Sequence, residues 1–221
     1  MHKIILSNGL EFMCSKTQTI LEAAKLSNIA IEHSCRSGRC GVCSAPILQG
    51  DTKVVVVEES LTSRDISSGK ILTCCRVPLT DIHLDVPDLG EIGSVKILTL
   101  PCRIDHIELL GDDILGITLR LPPKSNFVFF PGQYIDLING GVRRSYSIAN
   151  APRSDGKLEL QIKRVDKGLM SATLFSKTKV NDMFRLEGPL GTFSYRDDGE
   201  ENIILMATGT GIAPIKALLE S

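Results

Sequence analysis

The chain has 221 residues, 43% of them hydrophobic and 23% charged, with a net charge of −1. That length allows more than one domain, the composition is ordinary for a soluble globular protein, and the charge balance excludes the basic excess of a nucleic-acid binder. No window reaches the roughly 18 uninterrupted apolar residues of a membrane helix. The opening "MHKIILSNGL" is no secretory signal. A cytoplasmic protein is expected, in which seven cysteines serve metal or redox chemistry and not a disulfide framework.

Residues 2 to about 86 read as a small mixed unit. "KIILSNGLEFMC" alternates around Asn8-Gly9, a hairpin signal. Ile20, Leu21, Ala24 and Leu26 then fall at near-helical spacing. Strand-like runs follow at "APILQG", "KVVVV", "KILTCC" and "DIHLDV", with a short helix around Thr62 to Ser67. "VPDLGEIGSV", Val86 to Val95, lacks periodicity and reads as a linker. From about Ile97 to Tyr195 short β-rich runs alternate with Gly, Pro and Asp turns, the pattern of a barrel or sandwich. One helix-like insert, "GLMSATLFSK", interrupts them. At Asn202, "NIILMATGTGIAPIKALLES" reads as a buried strand, a glycine turn and a helix start. An open α/β sheet cannot be built from one strand and one helix, so a nucleotide domain cut short is expected.

Three sets of residues carry chemistry. Cys35, Cys40 and Cys43 form C-x4-C-x2-C, with the adjacent pair Cys74 and Cys75 beyond. This is plant-type spacing for a 2Fe-2S cluster, whose soft irons take four thiolates. Structural zinc sites instead use two close pairs. Gly38 and Gly41 let the loop curl, and Arg36 and Arg39 bring positive charge to an anionic group. If the segment is a strand, only one of Cys74 and Cys75 faces the cluster. Cys14 and Cys102 read as buried small hydrophobes.

The second set is Arg144, Tyr146 and Ser147 in "RRSYSIANAP". A strand-end arginine suits a pyrophosphate, and a tyrosine two residues on shares its face and can stack on a flavin ring. The serine hydroxyl can then bond the hydride-accepting ring nitrogen. "PGQY", Pro131 to Tyr134, precedes it, and "GLMS", Gly168, Met170 and Ser171 among its residues, opens the lone helix. A helix N-terminus binds phosphate through free N–H groups and its dipole. The third set is Gly209, Thr210 and Gly211 in "TGTGIAP", a glycine loop for a dinucleotide pyrophosphate in which Pro214 replaces the last glycine of the usual fingerprint.

Together these motifs resemble the ferredoxin–NADP reductase-type iron-sulfur flavoprotein reductases, over the entire chain. In that family R-x-Y-S/T and G-x-x-S are the flavin signatures, and "EGPLGTF" resembles the stretch before the nucleotide domain. Leu72-Thr73-Cys74 reproduces the "LTC" of plant-type ferredoxins, so the resemblance makes Cys74 the fourth ligand beside Cys35, Cys40 and Cys43. The fold implied is α+β multidomain. A β-grasp ferredoxin domain spans 1–88, a linker 89–97 and an antiparallel β-barrel flavin domain 98–197. The beginning of an NAD(P)-binding α/β domain spans 200–221. The implied cofactors are the 2Fe-2S cluster, FAD and NAD(P)H, with Tyr146 and Ser147 beside the reacting ring.

"ILTCC", "LRLPP", "GQYIDLI", "RRSYSIANAP" and "EGPLGTF" most resemble the reductases of CDP-6-deoxy-3,4-glucoseen in 3,6-dideoxysugar biosynthesis. Their partner is a sugar dehydrase. The alternatives are the reductase component of an aromatic-ring or alkane oxygenase, and an electron carrier that does not oxidise NADH.

Overall fold

The computed structural model describes residues 1–195 and 202–221, and divides into two units, Met1–Ser94 and Val95–Ser221. The expected end of the flavin domain at 197 lies outside the described residues.

The first unit opens with the hairpin β1 (His2–Ile5) and β2 (Glu11–Cys14), turned at Gly9 with φ 82°. Helix α1 (Ile20–Leu26) starts at a reciprocal cap in which Thr19 and Glu22 satisfy each other's amides. There follow β3 (Ser44–Gln49), β4 (Thr52–Val54), the short helix α2 (Ser63–Ser67), β5 (Lys70–Leu72), β6 (Arg76–Pro78) and β7 (Ile82–Leu84). The main sheet has the order β2-β1-β7-β3-β5, with β1 parallel to β7 and the other pairs antiparallel. Strands β4 and β6 make a separate ribbon. The sheet and α1 bury one core that includes Ile4, Leu6, Ile20, Leu72, Ile82 and Leu84. This is a β-grasp arrangement, as expected.

Helix α3 (Glu91–Ser94) forms inside the segment read as a linker. A single turn gives too few residues for a hydrophobic period to show, and Glu91 in its first turn suits the helix dipole.

The second unit contains β8 (Leu98–Gly111), β9 (Ile114–Arg120), β10 (Tyr134–Asn139), β11 (Val142–Ser147), β12 (Leu158–Lys163), α4 (Leu169–Ser176) and β13 (Met183–Leu190). Its six strands run antiparallel in the order β11-β10-β13-β8-β9-β12. A bridge between Ile148, just past β11, and Leu160 on β12 joins the two edges, so the sheet curls into a barrel. Register shifts in the β8–β9 pairing between Ile104 and His106 and between Leu109 and Gly111 let the long strand bend. Ile104, Ile117, Leu119, Ile135, Leu137, Leu160 and Leu186 fill the interior.

The expected strand in "NIILMA" is not formed: residues 202–208 carry no strand, and Ile204 and Met206 are 83% and 85% exposed. An apolar run becomes a buried strand only beside pairing neighbours, and no described strand pairs with it. A 3-10 turn, Gly209–Gly211, leads into α5 (Ile212–Leu219). The Nζ of Lys216 on α5 donates to Ala149 O and Glu159 Oε2, each at 3.0 Å, which ties the helix to the barrel.

Candidate functional site

The cysteine loop is shaped by its backbone. Arg36, Gly38 and Gly41 have φ of 57°, 79° and 77°, a left-handed conformation that glycine takes at least cost. Gly38 is constrained twice over, because a Cβ there would stand 2.1 Å from Val57 O. The amide and hydroxyl of Ser60 both donate to Gly38 O at 3.2 Å, and Ser44 N–H donates to Gly41 O at 2.9 Å. The second half of the site, residues 72–75, is fixed as firmly. Thr73 N–H donates to Cys43 O (3.1 Å), Leu21 N–H at the start of α1 donates to Thr73 O (3.0 Å), and Leu72 N–H donates to the Glu58 carboxylate (2.7 Å). Glu58 is held in a mostly buried ion pair with Arg76, at 2.7 Å.

The four expected ligands are brought together as two pairs. Cys40 N–H points at Cys35 Sγ (3.4 Å) and Cys35 N–H at Cys40 Sγ (3.5 Å), with Ser37 N–H also 3.5 Å from Cys35 Sγ. Cys43 Sγ and Cys74 Sγ lie 3.2 Å apart. The first pair is exposed and the second buried. Partial desolvation raises the Cys35 thiol, but donors from Ser37 and Cys40 outweigh it and bring it to about 6. The Cys43 thiol is pushed up by its hydrogen bond with Cys74 and by burial, so a proton must leave this pair when metal binds. Among the described residues no three His, Cys, Asp or Glu side chains close on a single metal ion. A two-by-two arrangement instead suits two irons, each taking two thiolates, with backbone N–H groups directed at the sulfurs. The residues fit a 2Fe-2S cluster.

Two details depart from expectation. Arg39 pairs with Glu59 at 3.5 Å, so its charge is partly cancelled near the loop. Residues 73–75 form a turn and not a strand, so Cys74 and Cys75 do not point to opposite faces; their Sγ atoms are 3.5 Å apart. Cys14 and Cys102 are buried as expected, with desolvation raising them to about 11 and about 12.

In the barrel, Arg144 and Tyr146 occupy alternate positions of β11, opposite Leu137 and Ile135 of β10, and so share a face. Arg144 is exposed, its guanidinium folded onto Arg143 O at 2.7 Å. Tyr146 packs against the barrel core, and desolvation raises its phenol to about 12 against the opposing charge of Arg144, which keeps it neutral. Ser147, half-buried, lies opposite Tyr134.

Helix α4 packs on β11, so the two motifs separated in sequence meet. A Cβ on Gly168, the N-cap, would stand 2.6 Å from Ser171 Oγ and 2.9 Å from Val165 Cβ. The buried Ser171 hydroxyl accepts from Val165 N–H at 3.2 Å and reaches the carbonyls of Val165 and Gly168 at 3.2 and 3.1 Å. Ser171 therefore fastens the loop, and Met170 is buried in the core. What this helix start offers an anion is its first-turn N–H groups, which have no intrahelical partner. Gly209, Thr210 and Gly211 stand at the start of α5, where a Cβ on either glycine would meet nothing within 4 Å.

Sequence reasoning missed Gln133 and Asp136. Gln133 is the buried side chain of "PGQY" that makes the ties: it accepts from Phe130 N–H (2.8 Å) and donates to Gly191 O (2.9 Å). That bond ties "PGQY" to "EGPLGTF". Buried Asp136 accepts from Ser145 (2.5 Å) and pairs with Arg143 (3.0 Å), which also reaches Glu187 (3.0 Å). A polar residue inside an apolar strand run was the available signal for Asp136.

Each unit has a counterpart among known protein families. Residues 4–79 match the family of 2Fe-2S iron-sulfur cluster binding domains, and residues 101–195 match the oxidoreductase FAD-binding domain. The chain is 45% identical over 215 residues to the CDP-6-deoxy-L-threo-D-glycero-4-hexulose-3-dehydrase reductase of Yersinia pestis, covering 97% of this chain and 64% of that protein. It is 31% identical to the xylene/toluene monooxygenase electron transfer component XylA of Pseudomonas putida, covering 96% and 61%. Among solved structures, the cytochrome P450 reductase GcoB of Amycolatopsis superposes with a TM-score of 0.72 at 27% identity, covering 99% of this chain and 67% of that one. The chain thus spans less than two thirds of the length of the two curated relatives.

Proposed function

Because the chain belongs to the ferredoxin–NADP reductase-type iron-sulfur flavoprotein reductases, we propose that it passes electrons from NAD(P)H to a protein partner, and that the partner is the dehydrase acting on a CDP-6-deoxy-4-keto sugar. The observation that carries the electron-transfer reading is the two-by-two pairing of Cys35 with Cys40 and of Cys43 with Cys74. When bound, FAD accepts a hydride and the 2Fe-2S cluster carries single electrons. The four thiolates would hold the cluster, with the exposed Cys35 and Cys40 side open to a partner. Arg144 and the first-turn amides of α4 would take the flavin pyrophosphate, Tyr146 would stack on the ring, and the Ser147 hydroxyl would bond its reacting edge. The open turn at Gly209, Thr210 and Gly211 receives the pyrophosphate of NAD(P)H. Seven free cysteines suit the reducing cytoplasm.

The choice of acceptor is supported by 45% identity to the dehydrase reductase against 31% to the oxygenase component. The test is NAD(P)H-dependent turnover with a sugar 3-dehydrase and, separately, with a ring-hydroxylating oxygenase. Faster reduction of the oxygenase sinks the acceptor assignment. Stopped-flow mixing with NADH separates both from a carrier that does not oxidise NADH, since such a carrier leaves the flavin absorbance unbleached.

A further inference from the structure

Cys75 is completely buried and belongs to neither thiol pair. It lies in the turn closed by its own N–H on Leu72 O at 2.8 Å. Its sulfur touches both halves of the cluster site: 3.5 Å from Cys74 Sγ, 3.9 Å from Val57 O, and 3.0 Å from where a Cβ on Gly38 would stand. Cys74 Sγ lies 3.2 Å from Cys43 Sγ, which supports it as the ligand, with Cys75 Sγ 3.5 Å from it on the other contact.

We propose that Cys75 is a positioning residue for the cluster, donating an S–H hydrogen bond to the sulfur of Cys74 and so favouring the reduced state. The inference rests on the reading that Cys35, Cys40, Cys43 and Cys74 hold the cluster. A sulfur bound to iron has given up its proton. The hydrogen in the 3.5 Å contact between Cys74 and Cys75 therefore comes from Cys75. Reduction adds one negative charge, shared by iron and its ligand sulfurs, and hydrogen bonds to those sulfurs are among the factors that set the potential. In a buried site such a donor acts in low dielectric, where its effect is stronger than in water. Val57 O, the other acceptor near Cys75, is the more distant at 3.9 Å. The same packing braces the loop, since Cys75 Sγ fills the space beside Gly38.

The test uses the whole chain loaded with cluster, in the variants Cys75→Ala, Cys75→Ser and Cys75→Val, and reads the cluster potential by redox titration followed by EPR of the reduced state. Cys75→Ala should keep the visible and EPR signatures while its reduction equilibrium constant falls about threefold to tenfold, the worth of one hydrogen bond; tenfold is about 59 mV for one electron. Cys75→Ser keeps a donor and should recover at least half of that shift, whereas Cys75→Val should not. An unchanged potential in Cys75→Ala overturns the proposal and leaves Cys75 as packing. If Cys75→Ala does not load, Cys75→Ser against Cys75→Val decides, and equal potentials overturn it. A cluster retained in Cys74→Ala but lost in all three Cys75 variants also overturns it, by making Cys75 the ligand. A wild-type chain that cannot be loaded with a ferredoxin-type cluster defeats the ligand assignment itself.

Discussion

In the first unit three of the four thiols hang from main chain bent into left-handed conformations at Arg36, Gly38 and Gly41, and the fourth, Cys74, from the turn at 73–75. In the second, Arg144, Tyr146 and Ser147 ride on a straight strand whose residues pair one by one with β10. A cluster needs four sulfurs converging on one point, here three from one loop and one from a turn 31 positions on, which no regular element supplies. A flavin is long and flat, and a strand beside a helix start presents groups at the right intervals along it. The loop is therefore specified by backbone conformation and the barrel by register and buried polar ties, and the two should fail in different ways.

Gly38→Ala should have the largest effect. The new Cβ would stand 2.1 Å from Val57 O, a backbone atom, at a φ of 79°. We expect a cost of about 3 kcal/mol or more to the local structure, and loss of iron and sulfide with the FAD content preserved. Loss of both cofactors would break the comparison, because it would mean the loop also supports the barrel.

The converse variant is Ser171→Ala, which removes the bonds that fasten the α4 start to Val165 and Gly168. The expected cost is about 1–2 kcal/mol, read as a roughly tenfold weaker FAD dissociation constant by flavin fluorescence, with the cluster spectrum unchanged. An unaltered FAD affinity would show that the first-turn amides of α4 do not need this fastening.

The sequence displayed the candidate cluster ligands because chemistry demands cysteine at fixed spacing, and it displayed β11 because Arg144 and Tyr146 stand at alternate positions as on a strand. It did not display the pairing of Cys43 with Cys74, which depends on the turn at 73–75; read as a strand, that segment wrongly sent Cys75 to the opposite face. Gln133 was hidden for a related reason, since its partner Gly191 is 58 positions away. Strand β6 and helix α3, with three and four residues, are too short to repeat a hydrophobic period. The run at Ile203 to Met206 errs the other way: four apolar residues signal a strand, but pairing partners decide whether one forms.

The smallest effect concerns the edge of the cluster lobe, where a side chain and not the backbone does the fastening. Asp65 caps α2 by accepting from the amide (3.1 Å) and hydroxyl (2.5 Å) of Thr62, and Lys70 Nζ approaches it at 3.2 Å. The Thr62 hydroxyl, the Thr62 amide and Lys70, in that order, lower its carboxyl to about 2. The unfolded chain has a carboxyl near the usual aspartate value of about 3.9, so the folded state holds the proton less tightly. The stability Asp65 contributes is therefore complete above about pH 4 and is lost as the pH falls toward 2. Asp65→Asn should lower the unfolding midpoint slightly at pH 5 and make its decline between pH 4 and 2 shallower than in the wild type. Carboxyl-carbon NMR of the wild type should show Asp65 titrating well below the usual aspartate value of about 3.9. Because both proteins share every other acid-labile group, the difference between their melting curves isolates this cap, and parallel curves would mean that Thr62 and Lys70 do not hold the carboxylate in solution.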